Sequence, residues 1–286
     1  MKKLLLFSLV TIILCIFIVN SIDETDILKQ AFNDEEIAFI KDNSISYSDI
    51  SPYLKYQNFN IYDYLEYEKI RIDQNYLEAI NLFNNKDYYE PYTNTKKAIF
   101  LDTNIALINK HYYIDKDYEP KALVNIKDYN VDYVKRENEV MKANKDAIIS
   151  YKTMFDVAKK EGINLLIFSC YRSYEKQEHL YYNVNFENDL YSAKPGHSEH
   201  HTGLAFDIST STHGLTENFA LSKEYYWLKN NAYKYGFIER YPKDKTDITL
   251  YSYEPWHFRY VGKTTAAFIY NNNYTLEEYI IKNYEL

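Results

Sequence analysis

The sequence predicts an α+β protein with a helical N-terminal part, and three observations predict it. All six glycines fall between Gly162 and Gly262, whereas average usage would put roughly twenty along the chain. The glycine-free stretch before Gly162 avoids turns that need positive φ, which predicts helices joined by ordinary turns. Apolar runs of strand length at 164–169, 204–208 and 256–261 lie among helical patterns without regular β-α-β alternation. With 46% hydrophobic and 26% charged residues, the 286-residue chain also has ample material for a core.

Charge and composition exclude some partners. The 33 basic and 41 acidic residues give a net charge of −8. No long basic run exists to bind phosphates, so nucleic acid is not expected as a partner. The 33 tyrosines accompany abundant Asn, Ile and Lys, which points first to codon bias in an AT-rich genome. An aromatic carbohydrate platform is the second explanation.

The elements follow in order. Lys2-Lys3 precede an apolar run over residues 4–19, and Asp23, Glu24 and Asp26 follow it. Sixteen helical residues span about 24 Å, short of a hydrocarbon core of roughly 30 Å. Residues 1–22 are therefore expected to be a signal peptide, or an anchor attached to the membrane through residues 4–19. The charge order places the body outside the cytoplasm, at the cell wall or on the outer face of the membrane.

Residues 23–100 form a small helical accessory domain in this reading. Asn33-Asp34-Glu35-Glu36 is a helix start leading into Ile37 and Ile40, and further helices are expected over Ile61–Arg71 and Tyr76–Phe83. Asn84 to Asn94 reads as a linker. Residues 101–286 form the second domain. It is expected to hold a helix over Arg136–Lys160 closed by Gly162, a strand at 164–169 and a helix over Tyr174–Phe186. A Gly- and His-rich loop at 195–203 and a strand at 204–208 follow. A helix over Lys223–Tyr235, a strand at 256–261 and a helix over Thr275–Lys282 complete it.

Six of the seven histidines fall between His179 and His257. In Ser198-Glu-His200-His-Thr-Gly203-Leu-Ala205-Phe-Asp207, an extended chain would hold His200 and Asp207 about 23–25 Å apart. Two ligands of one zinc sit only about 3–4 Å apart, so sharing a metal requires a reversal, and Thr202-Gly203 is the place for it. Glu254-Pro-Trp-His257 adds a second imidazole and a further carboxylate, with Pro255 favouring an extended approach. Two imidazoles, one carboxylate ligand and a separate base make up the inventory of a catalytic zinc site. His197 and His201, four residues apart, form a rival pair, although Ser198 stands where the helical metalloprotease motif needs Glu. A site without metal is the third alternative at this level. His179 and His213 are expected to be exposed. Cys15 lies in the export segment and leaves Cys170 alone in the body, which excludes an internal disulfide or a zinc-thiolate site of the C-x-x-C kind.

S-x-H-x-x-G-x-A-x-D at 198–207, followed by E-P-W-H-F-R-Y-V-G at 254–262, resembles the VanY-type zinc D-Ala-D-Ala carboxypeptidases. Tyr171-Arg172-Ser173-Tyr174 with Gln177, Pro195-Gly196-His197, and the Tyr235–Ile238 and Arg240–Pro242 segments fit the same pattern. The likeness covers roughly Leu107 to the C-terminus. It implies a zinc-peptidase domain with a small antiparallel sheet and flanking helices. It also implies one Zn2+ held by His200, Asp207 and His257, with Glu254 as general base. Arg172 becomes the cation near the scissile carbonyl or substrate carboxylate, and Gln177 and Ser198 become substrate contacts. The implied activity is removal of terminal D-alanine from peptidoglycan stem peptides, with the D,D bond of a pentapeptide favoured. The alternatives are the L,D bond of a tetrapeptide, a non-catalytic wall-binding module and a Cys170-dependent hydrolase. Cys170 and His201 depart from the family pattern, where small residues and Gln respectively are usual.

Overall fold

The computed structural model describes residues 24–56, 59–70, 76, 80, 92, 95–137, 139–184 and 192–284. The apolar segment 4–19, most of the expected Tyr76–Phe83 helix and nearly all of the 84–94 linker lie outside the described residues. No helix among the described residues is long and apolar enough to cross a membrane. Two compact units divide the described chain. The first holds the described residues of 24–54, 59–83 and 281–284, and the second holds those of 55–56 and 84–280.

The first unit contains helices Glu24–Ala31, Asp34–Asp42, Tyr47–Ile50 and Tyr64–Ile70, the last preceded by a 3₁₀ turn at Ile61–Asp63. The start read at 33–36 is a capping box. Asn33 Oδ1 accepts from the amides of Glu35 and Glu36, and Glu36 accepts from the Asn33 amide at 2.8 Å. Ile37 and Ile40 are buried on the helix that follows. Tyrosine builds this unit's interior: the buried Tyr53 ring lies 5.1 Å from Phe59, 5.7 Å from Tyr64 and 5.9 Å from Tyr67. Its hydroxyl donates to Glu68, as a buried tyrosine requires.

The second unit begins before residue 101. Strand β1 (Lys96–Lys97), assigned from sequence to the accessory domain, pairs in parallel with β2 (Tyr112–Tyr113). Strands β3 (Leu123–Asn125) and β4 (Lys142–Asn144) pair antiparallel. β4 occupies part of what the periodicity predicts as helix, so the helix runs over Lys145–Lys160 and not from Arg136. Asn144 decides the boundary, because its side chain accepts from the amides of Asp146 and Ala147 at the N-cap. Val140, within the span predicted as helix, is exposed. Gly162 leaves the helix at φ +75°, as the C-terminal signal predicts.

The main sheet has four antiparallel strands in the order β5-β6-β8-β7: β5 (Leu166–Ser169), β6 (Ala205–Ser209), β7 (Phe237–Glu239) and β8 (His257–Tyr260). The period of two divides its faces. Phe206, Ile208 and Phe258 join the core with Tyr151, Met154 and Phe155 of helix Lys145–Lys160, and the Tyr151 and Phe206 rings stack at 5.6 Å. Asp207, His257 and Arg259 occupy the alternate positions. Helix Lys223–Asn231 continues as a 3₁₀ turn to Tyr235, and helix Leu276–Tyr284 lies close to its predicted span. The helix expected over Tyr174–Phe186 is α only to His179, and a π segment follows over Leu180–Val184. A helix over Lys263–Asn272 adds to the predicted elements.

Candidate metal centre

Register and one turn assemble the centre. Asp207 and His257 are direct partners across β6 and β8, and Ser169 of β5 faces Asp207 from the other side. His200 arrives on a 3₁₀ turn over Glu199–Thr202, which Gly203 ends at φ +73°. A Cβ on Gly203 would meet Leu123 Cδ2 at 2.7 Å and the Asn144 amide nitrogen at 3.0 Å, so glycine is needed for both conformation and space. The reversal read at Thr202-Gly203 therefore brings His200 back over Asp207.

His200 Nε2 lies 3.3 Å from Asp207 Oδ2, and His257 Nδ1 lies 3.4 Å from Asp207 Oδ1. Donor atoms of the three residues all lie within 4.8 Å of one another, and all three residues are buried. Tetrahedral zinc with bonds of about 2.0–2.2 Å places its ligand atoms about 3.3–3.6 Å apart, and both His–Asp207 separations match that spacing, each through a different carboxylate oxygen. Asp207 Oδ1 is buried without a hydrogen-bond partner among the described residues, as expected of an oxygen reserved for a cation. Burial alone would raise the Asp207 carboxyl, but His200 and His257 beside it hold it well below the usual carboxylate range.

Each imidazole is anchored through its other nitrogen. His200 Nδ1 donates to the Cys170 carbonyl at 2.6 Å, which leaves Nε2 free to ligate. His257 Nε2 lies 3.0 Å from Glu199 Oε1. Glu254 Oε2 sits 3.3 Å from His257 Nδ1, and burial raises the Glu254 carboxyl above its ordinary value. Arg172 Nη2 stands 3.8 Å from Asp207 Oδ2, so this guanidinium faces the centre. Gln177 is buried behind it: its Oε1 accepts from Arg172 Nη1 at 2.7 Å, and its Nε2 donates to the Ala193 carbonyl at 2.6 Å. Ser198 is buried at the N-cap of the 3₁₀ turn, where its hydroxyl makes no cap hydrogen bond.

The rival pair is directed elsewhere. His197 Nδ1 bonds the Asn109 carbonyl at 2.8 Å, and the His201 ring packs among Tyr118, Tyr171 and Tyr174. His200, Asp207 and His257 form the one candidate metal cluster found among the described residues. His213, expected at the surface, is half-buried with Nδ1 2.8 Å from Thr210 Oγ1, whereas His179 is exposed. Cys170 is a free, buried cysteine whose thiol burial pushes well above its ordinary value, which opposes a nucleophilic role.

Comparison with known proteins then decides the family. The family described as "VanY: D-alanyl-D-alanine carboxypeptidase" matches residues 140–263. A putative carboxypeptidase, YodJ, of Bacillus subtilis (strain 168) is 48% identical over 187 residues, covering 62% of this chain and 67% of the relative. A D-alanyl-D-alanine carboxypeptidase of Enterococcus faecium is 31% identical over 229 residues, covering 79% and 73%. This chain belongs to the VanY family of zinc D-Ala-D-Ala carboxypeptidases. The solved LdcB LD-carboxypeptidase superposes on this VanY-family chain with a TM-score of 0.61 at 43% identity, covering 68% of this chain and 94% of that one.

Sequence reasoning missed what lies behind the VanY-type ligands. Glu199, Arg240, Arg259 and Glu277 are all buried and ion-paired there. Arg240 Nε donates to Glu199 Oε2 at 2.9 Å and Arg259 Nη1 to the same oxygen at 3.0 Å. Glu277 accepts two hydrogen bonds from Arg240, at 2.9 and 2.7 Å. Strand alternation could have revealed Arg259, two positions from His257 on the same face. Nothing local marks Glu277, an ordinary acidic residue in the first turn of its helix.

Proposed function

We propose that this VanY-family enzyme hydrolyses the last peptide bond of a peptidoglycan stem peptide, releases D-alanine, and prefers the L,D bond of a tetrapeptide stem. The observation that carries the hydrolytic reading is the half-buried Glu254 carboxylate beside the His200/Asp207/His257 donor set, with Arg172 facing the same centre. When bound, zinc supplies Lewis acidity to a water and to the scissile carbonyl.

The chain's own residues supply the proton and charge handling. Glu254, its pKa raised by burial, is suited to take a proton from the attacking water and return it to the leaving amine. Hydroxide adds to the carbonyl carbon, the C–N bond breaks, and the amine leaves carrying the returned proton. Arg172 provides a fixed positive charge for the substrate's terminal carboxylate or the carbonyl oxygen. Gln177, expected from sequence to touch substrate, instead orients that guanidinium in this reading. The Ser198 hydroxyl, free of a capping role, is the polar contact for the peptide.

The bond preference rests on likeness. The 43% identity and TM-score of 0.61 with the LdcB LD-carboxypeptidase support the L,D reading. The D,D bond of a pentapeptide, favoured by the motifs, is the second reading, supported by the family match and the Enterococcus faecium relative. Lys2-Lys3 and the apolar run over 4–19 support export, which would bring the enzyme to this substrate. Fractionating cells that express the full chain checks it, and a cytoplasmic pool alone would sink the export reading.

Tetrapeptide and pentapeptide stems, offered separately to the zinc-loaded enzyme, test the rest. Faster D-alanine release from the tetrapeptide is expected, and the reverse order establishes the D,D reading. Glu254→Gln should lower kcat by about 10²–10⁴-fold while zinc stoichiometry stays at wild type. Undiminished turnover in that variant would remove Glu254 from the mechanism.

A further inference from the structure

We infer that Glu199 is a positioning residue that fixes the metal-binding tautomer of His257. The inference rests on the reading of His200, Asp207 and His257 as the zinc ligands. It concerns a residue with no place in that ligand set.

The two ring nitrogens of His257 face different partners. Nδ1 faces Asp207 Oδ1 at 3.4 Å and Glu254 Oε2 at 3.3 Å, on the side where the metal donors converge. Nε2 faces Glu199 Oε1 at 3.0 Å on the opposite side of the ring. A neutral imidazole carries one N–H and one lone pair, and the hydrogen bond made by one nitrogen decides which nitrogen is free to ligate. A carboxylate only accepts, so Glu199 holds the proton on Nε2 and leaves the lone pair of Nδ1 for the metal.

The surroundings of Glu199 keep it an acceptor. Its other oxygen, Oε2, receives Arg240 Nε at 2.9 Å and Arg259 Nη1 at 3.0 Å, with both guanidinium groups fully buried. Neither arginine is free to turn away. Arg240 is clamped from its far end by both oxygens of Glu277, and Arg259 Nη2 donates to the carbonyls of Asn104 and Ala106 at 3.1 and 2.9 Å. Asn109 Nδ2 donates in turn to Glu277 Oε1 at 3.1 Å. Two glutamates thus balance two arginines in a buried layer, and Glu199 is the member of it that reaches the metal ligand.

The geometry also specifies Glu over Gln. Donors approach both ends of the side chain, His257 on Oε1 and the two arginines on Oε2. An amide has one oxygen, so in Glu199→Gln an NH2 group must face either the imidazole N–H or the guanidiniums. The first arrangement favours the wrong His257 tautomer, and the second breaks the clamp.

Zinc affinity is the direct readout and needs no substrate. Wild type and Glu199→Gln are stripped of metal, their melting temperatures are recorded, and zinc is titrated against a chromophoric chelator. The Glu199→Gln protein should bind zinc about 10–100-fold more weakly. Equal zinc affinity in a folded Glu199→Gln protein would overturn the inference. A wild-type protein that takes up no zinc would overturn the ligand reading itself, and is distinguished by failing before any substitution is made. If Glu199→Gln does not fold, ¹⁵N-histidine NMR of the zinc-loaded wild type decides. A proton on His257 Nε2, with Nδ1 metal-bound, supports the role of Glu199, and a proton on Nδ1 contradicts it.

Discussion

The two walls of the metal centre hold their imidazoles by different means. On the His200 wall the anchor is a neutral backbone carbonyl, Cys170 O at 2.6 Å, delivered by the chain just after β5. On the His257 wall the anchor is the ionised Glu199 side chain, held by two buried arginines. A backbone anchor survives any side-chain substitution that keeps the local fold. A carboxylate anchor adds negative charge behind the ligand, but it depends on every member of the layer that stabilises it. The His257 wall should therefore respond more strongly to pH and to side-chain changes, and the His200 wall chiefly to changes in how substrate charge is met.

Arg172 belongs to the His200 wall, and its loss is the larger of the two effects that separate the walls. Its backbone amide donates to the His200 carbonyl at 3.1 Å, and its guanidinium faces Asp207 from a half-buried position. Arg172→Ala should lower kcat/KM by about 10²–10³-fold, the scale of losing a preorganised charge partner, with zinc content unchanged. Steady-state kinetics with metal analysis checks this. A loss of zinc alongside activity would show that Arg172 supports the ligand wall itself.

The walls also differ in how much of them the sequence exposes. His200, Asp207, His257, Glu254 and Arg172 sit in contiguous segments, and the one turn needed to join them is marked by Gly203. Their convergence was readable in the motifs that carry the family resemblance, since spacing itself left the His197/His201 pair and a metal-free site open. The supporting layer was not, because Glu199, Arg240, Arg259 and Glu277 meet only through the sheet register and the packing of the C-terminal helix. The same contrast holds for the fold. The three strand-like runs became β5, β6 and β8, whose lengths and patterns are local properties. The predicted Arg136–Lys160 helix overshoots the observed start because apolar spacing cannot show that 142–144 has a strand partner at 123–125. The short pairs β1–β2 and β3–β4 carry almost no pattern at two or three residues each.

A smaller effect sharpens the difference between the walls through protons. Burial alone would lower both imidazoles. His200 follows burial and sits below its ordinary value despite Asp207. For His257, Asp207, Glu199 and Glu254 outweigh burial, and its pKa is raised well above the ordinary imidazole value. A raised folded-state pKa means that protonated His257 stabilises the metal-free protein below the unfolded value of about 6.5. That stabilisation is lost as pH rises through the folded value. Zinc needs the same Nδ1, so between those two pKa values each zinc bound should release about one proton, and it should come from His257. Zinc affinity in that window should then rise by about tenfold per pH unit. Calorimetric zinc titrations in buffers of different ionisation enthalpy count the proton directly. No proton release near pH 7, or release that persists unchanged in His257→Ala, would place the titrating group elsewhere and erase the contrast between the walls.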